Sequence, residues 1–181
     1  MSGADRTVRA TRPVRAPKRQ RGVTTVEFVM ILPFFLLLVF MIFELGLAFA
    51  TQELMDNAAR DAARLIRIGT ITGSNYATPL VDAICNDLSL TQFTLVPACQ
   101  QNIQIYVAAT NSGSPSGTGF TQLSTAAFGN GTMTQTEANL SADYDVILQV
   151  GYNYRWALPW TSVLAGNTML ISTIAFQTEP Y

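Results

Sequence analysis

The chain has 181 residues, 49% of them hydrophobic and 13% charged, with a formal net charge of −1. That length can bury the core of one ordinary domain, and charge so far below the usual ~25% excludes a solvated, disordered chain. The absence of histidine and the presence of only two cysteines remove the commonest general base and leave a four-ligand Cys/His zinc site incomplete, so no metal or cofactor is expected.

Charge is divided sharply along the chain. Residues 1–22 hold Arg6, Arg9, Arg12, Arg15, Lys18, Arg19 and Arg21 against the single acid Asp5, leaving four basic and eleven acidic residues from Val23 onward. The basic segment lacks the interleaved aromatics that stack on bases, so nucleic acid is not an expected partner. It reads instead as the cytoplasmic flank of a membrane span, because Phe28–Phe43 follows with no polar side chain and Glu44 is the sole charge as far as Ala50. A helix over 23–50 is long enough to cross a ~30 Å hydrocarbon core. The basic flank keeps the N-terminus in the cytoplasm and exports the C-terminal part. Pro33 falls inside this helix, and Glu44, near its outer end, is expected to snorkel to the interface, the alternative being a charge that faces a partner protein.

The junction reads Arg21-Gly22-Val23-Thr24-Thr25-Val26-Glu27-Phe28. A carboxylate at the head of a membrane helix is costly and marks a functional site, and in the first turn it complements the helix dipole. If the chain is cut after Gly22, the new ammonium on Val23 lies one turn from Glu27 and can pair with it or with Glu27 of a neighbour.

A basic leader, Gly, four residues, Glu and then an apolar helix resemble the processing site of type IV pilin-like proteins. The resemblance narrows through Val26–Pro33, Phe43-Glu44-Leu45-Gly46 and the LMDNAARDAAR segment over Leu54–Arg64, which are similar to TadE-like pseudopilins of the tight-adherence (Tad/Flp) pilus system. It is strongest over Gly22–Gly69. It implies cleavage between Gly22 and Val23 by a prepilin peptidase, a role for Glu27 in assembly, and a minor pilin of the bacterial inner membrane. The partners it implies are the peptidase, other pilin-like subunits, an inner-membrane Tad assembly platform with its secretion ATPase, and membrane lipid. Two other readings stay open: an uncleaved bitopic anchor carrying a periplasmic binding domain, and a domain secreted after Ala48-Phe49-Ala50, which fits the A-x-A pattern.

Gln52–Ile68 continues the helix as an amphipathic segment, with Leu54, Ala58, Ala62, Leu65 and Ile66 on one stripe and Gly69 as its stop. The small face formed by Ala58, Ala59, Ala62 and Ala63 permits close packing, either on the chain's own domain or on another subunit. Thr78–Leu88 is expected as a second helix with Thr78 as N-cap and Pro79 in first position. Strands are expected at Gln101–Thr110, Asp145–Trp156 and Thr168–Thr178, a loop at Asn111–Gly119, and a turn or short helix at Pro159–Leu164. Thr121–Ser141 carries no clear pattern. The expected architecture is therefore α+β: a leader over 1–22, a transmembrane helix over 23–50, an amphipathic helix over 51–69, and a domain over 70–181 with a three-stranded antiparallel sheet and a short helix.

Cys85 and Cys99 form an even pair in an exported domain and are expected to be bridged, tying the second helix to the first strand. Nothing in the sequence assembles a catalytic group. Asp82 and Asp87 do not share a helix face well, and Asp143 and Asp145 lack a calcium-loop pattern; Tyr152, Tyr154, Trp156 and Trp160 offer a sticky aromatic surface as one reading, but alternate members of a strand read as core. A structural protein, not an enzyme, is expected.

Overall fold

The computed structural model describes residues 21–89, 95–111, 119–134 and 138–181, which leaves the leader as far as residue 20 outside the described residues. The chain divides into two units, 1–39 and 40–181.

An unbroken run of helix formers and apolar residues produces α1, Arg21–Arg67, which starts two residues ahead of Val23 and contains Pro33. In the first unit its side chains face outward on every side: Phe28, Met30, Ile31 and Phe34 are all more than half exposed. A helix that is apolar all round and uncovered by protein is suited to lipid, and α1 is long and apolar enough to cross a membrane.

In the second unit α1 becomes one-sided. Met55, Ala58, Ala59, Ala62, Ala63 and Ile66 are buried, while Glu53, Arg60, Asp61 and Arg64 are exposed. The buried stripe is thus centred on Met55, Ala59 and Ile66, with Leu54 and Leu65 only at its margin. The alanine face packs within the chain's own domain. Gly69 ends the helix at φ +75, with Gly69 N donating to Ile66 O and Thr70 N to Leu65 O. A side chain at Gly69 would also strike the ring of Tyr181, 2.6 Å from the place its Cβ would take.

Helix α2, Ala77–Ser89, presents Leu80, Ile84, Cys85 and Leu88 to the same core. It begins earlier than its capping signal implied. Leu80 N donates to Tyr76 O, so Thr78 lies inside the first turn and is not the N-cap. A short helical turn, α3 (Cys99–Asn102), precedes β1, Ile103–Asn111, and so takes up the start of the strand expected from residue 101.

Three strands form one antiparallel sheet in the order β1–β4–β5, with β4 at Tyr144–Tyr154 and β5 at Thr168–Gln177. In register, Val107 lies opposite Leu148, and Leu148 opposite Ile174. The inner face of β4, Val146, Leu148, Val150 and Tyr152, packs with α1 and α2. The opposite face is covered by the segment that the sequence left without a pattern. There a two-stranded hairpin, β2 (Phe128–Gly129) with β3 (Thr132–Met133), brings Met133 and Ala126 onto Tyr106. Side-chain amides fasten it: Gln149 Oε1 accepts from Ala126 N at 2.6 Å, and Gln104 Nε2 donates to Gly131 O at 3.0 Å. The architecture is α+β, a long apolar helix followed by a small domain with a three-stranded antiparallel sheet. Between β4 and β5 lies α4, Pro159–Ala165, started by Pro159 at its head and ended by Gly166.

Candidate functional site

The residues singled out from the sequence fall in both units. Gly22 and Val23 have helical backbone in the first turn of α1, and Glu27 is an exposed position one turn further along. The leader, with its basic cluster, lies outside the described residues apart from Arg21 and Gly22. Cys85 and Cys99 belong to the second unit, where a disulfide joins them across a Cα–Cα distance of 5.7 Å. It ties α2 to α3, immediately before β1. Among the described residues no group of three or more His, Cys, Asp or Glu side chains is placed to hold a metal ion.

The acid near the outer end of the apolar stretch behaves differently from the expectation. Glu44 does not snorkel to the surface; it is only 3% exposed. Its Oε1 accepts from the backbone N–H of Ala157 at 2.5 Å and of Leu158 at 3.1 Å, across a separation of more than a hundred residues. The chain makes this possible because β4 ends at Tyr154 and the following residues turn toward α4, leaving backbone donors free of the sheet ladder. Thr161 Oγ1, buried in the same place, donates to Leu158 O at 2.7 Å and holds that turn closed. Glu44 Oε2 is buried and has no hydrogen-bond partner. Beside it is a crevice of about 100 Å³ lined by Met41, Leu45, Trp156, Thr161 and Ala165.

Aromatic side chains lead away from this clasp. Tyr154 meets Trp156 edge-on at 5.2 Å, and Tyr152 meets Tyr154 edge-on at 6.5 Å. Burial raises the Tyr154 hydroxyl above its ordinary pKa, with the nearby Glu44 and Tyr152 adding to the shift. Burial also raises Tyr152, against a smaller opposing effect of Arg155. What this cluster provides is a mechanical connection between α1 and the loop ahead of α4.

The comparison that bears on identity falls on α1. The model of the TadE-like protein family matches residues 22–64. Over this segment the chain is similar to TadE-like proteins. The match opens at Gly22 and takes in Glu27, Glu44 and the alanine-rich face. It stops short of α2 and the sheet, so the domain that clasps Glu44 lies beyond the matched residues. No curated protein and no solved structure matches the chain.

Proposed function

We propose that this chain is a TadE-like pseudopilin, a minor pilin that acts as a structural component in biogenesis of the Tad (Flp) pilus. The observation that carries the reading is the TadE-like match beginning at Gly22, where a basic segment gives way to a carboxylate and a long apolar helix. A prepilin peptidase cuts between Gly22 and Val23. The mature α1 sits in the inner membrane with its N-terminus on the cytoplasmic side and the α+β domain in the periplasm. Glu27, exposed in the first turns of α1, is available to the Val23 ammonium of a neighbouring pilin-like subunit, a pairing that offsets the cost of a carboxylate at the edge of lipid. The role is structural rather than catalytic. Its partners are the peptidase, other pilin-like subunits, the Tad assembly platform and membrane lipid.

The test is the mature N-terminus, read by mass spectrometry of protein taken from its native membrane. A chain starting at Val23 is expected. A start at Met1 or Ser2 in cells with active prepilin peptidase would make it an unprocessed anchor, and a start at Thr51 would make it a secreted domain. The assembly role is tested separately with Glu27→Gln, which is expected to abolish or sharply reduce pili while leaving membrane insertion intact.

A further inference from the structure

Glu44 is the sole charged residue between Glu27 and Glu53. A bilayer crossing takes ~20 residues, and any such window placed within residues 28–52 contains position 44. The backbone that grips Glu44, Ala157 and Leu158, is therefore drawn to the level of the bilayer, and α4 begins at the next residue.

The chemistry of that segment fits the location. No charged residue occurs from Trp156 to Thr178. Both tryptophans of the chain, Trp156 and Trp160, lie within it, and tryptophan is the side chain most at home where hydrocarbon meets headgroups. Val163, on α4, is 83% exposed, an apolar side chain with no cover from the chain itself. The neighbouring stretch of α1 in the same unit is also uncovered and apolar, with Phe43 and Phe49 each about 70% exposed. Arg155, exposed just ahead of the segment, supplies a cation for lipid phosphate.

We propose that Trp156–Ala165 is a second membrane contact, with α4 lying in the outer interface of the bilayer beside α1 and Val163 facing the acyl chains. The partner is the lipid surface itself. Glu44 serves as the tether, and its buried carboxylate is met by backbone donors where water is scarce. This rests on α1 crossing the bilayer, as the proposed function requires.

The two tryptophans make the test direct. The full chain is reconstituted into phosphatidylcholine vesicles, and flotation with the vesicles after alkaline washing reports the spanning helix. Tryptophan emission is then measured with bromine placed along the lipid acyl chains and with acrylamide in the water. The expected result is strong loss of emission with bromine near the headgroup end, weak loss with acrylamide, and a red shift with reduced bromine quenching in Val163→Asp. Flotation without bromine quenching would overturn the proposal. In that case free access of acrylamide would put α4 in water, and protection from acrylamide would put it against protein. Bromine quenching that is unchanged in Val163→Asp would also overturn it, since the face in contact would be another. Failure to float would sink the spanning reading and the proposal with it.

Discussion

Glu44 Oε1 and Ala157 N lie 2.5 Å apart, joining the apolar helix to the loop between the last two strands. Glu44→Ala removes a charged acceptor shared by two part-buried backbone donors, and a hydrogen bond to a charged group is worth about 1.5–3 kcal/mol. A loss of roughly 2–4 kcal/mol is expected in denaturant unfolding of the detergent-solubilised protein. Glu44→Gln keeps an oxygen that can accept both bonds and is expected to lose distinctly less. Equal losses in the two variants would mean that the bonds contribute little.

The Cys85–Cys99 bridge closes a loop of 14 residues' separation. In the chain-entropy model a loop of that size contributes about 3 kcal/mol. Cys85→Ser with Cys99→Ser is expected to lower stability by that order, and reductant is expected to have the same effect on the unsubstituted chain and none on the double variant.

Ala59 is completely buried where α1 meets the core. Enlarging it to leucine overpacks that contact, at about 1–3 kcal/mol. Leu148→Ala, in the middle of β4, opens a cavity instead, and about 2–5 kcal/mol is expected. Thermal unfolding of both variants checks the assignment, with Ala59→Leu as the more diagnostic. If that face met another subunit and not the domain, its substitution would leave the monomer's stability unchanged.

Alkaline pH provides a test of the aromatic cluster. Tyr152 and Tyr154 have raised pKa values in the folded chain relative to the ordinary value of 10.0. Below pH 10 both states keep their protons, and these groups add no pH dependence. Above it the unfolded chain releases protons first, so the folded state binds more and stability falls as pH rises. The melting temperature is expected to decline from about pH 10 upward, and to decline less steeply in Tyr154→Phe.

One contact is expected to matter little. Arg67 Nε lies 3.2 Å from Glu179 Oε1, yet both side chains are more than half exposed. Arg67→Ala is expected to shift stability by less than ~1 kcal/mol. The backbone bond from Glu179 N to Arg67 O, at 3.0 Å, is untouched by that substitution and still holds the chain's end to α1.

Much of this arrangement is legible in the residues. The alternation Val146, Leu148, Val150 reads as a strand because one face of β4 meets the helices. The change in α1 from apolar all round to one-sided is written in Glu53, Arg60 and Arg64. The β2–β3 hairpin was also there to be read. Asn130-Gly131 is the dipeptide that favours a tight two-residue hairpin turn, and both residues adopt positive φ, 51 and 74. Its strands are two residues each, too short to show any alternation. The clasp on Glu44 was not legible, because its partners are main-chain N–H groups that every residue but proline possesses. Distance in sequence hid it further. What the residues did show was a charge in an apolar stretch, and the snorkelling they suggested missed partners within the same chain.

The sheet order β1–β4–β5 has a consequence for the sequence of events in biosynthesis. The alanine face of α1 is among the first parts of the domain to be made. Yet Gln52 is fastened to Ile171 O, and Arg67 O receives Glu179 N, both from the final dozen residues. Contacts between residues so far apart in sequence close late, after the intervening loop entropy has been overcome. The domain therefore cannot finish folding until β5 has been synthesised, and a chain cut short at the start of β5 would lack both the strand that flanks β4 and the bonds that Gln52 and Arg67 make with residues beyond β4.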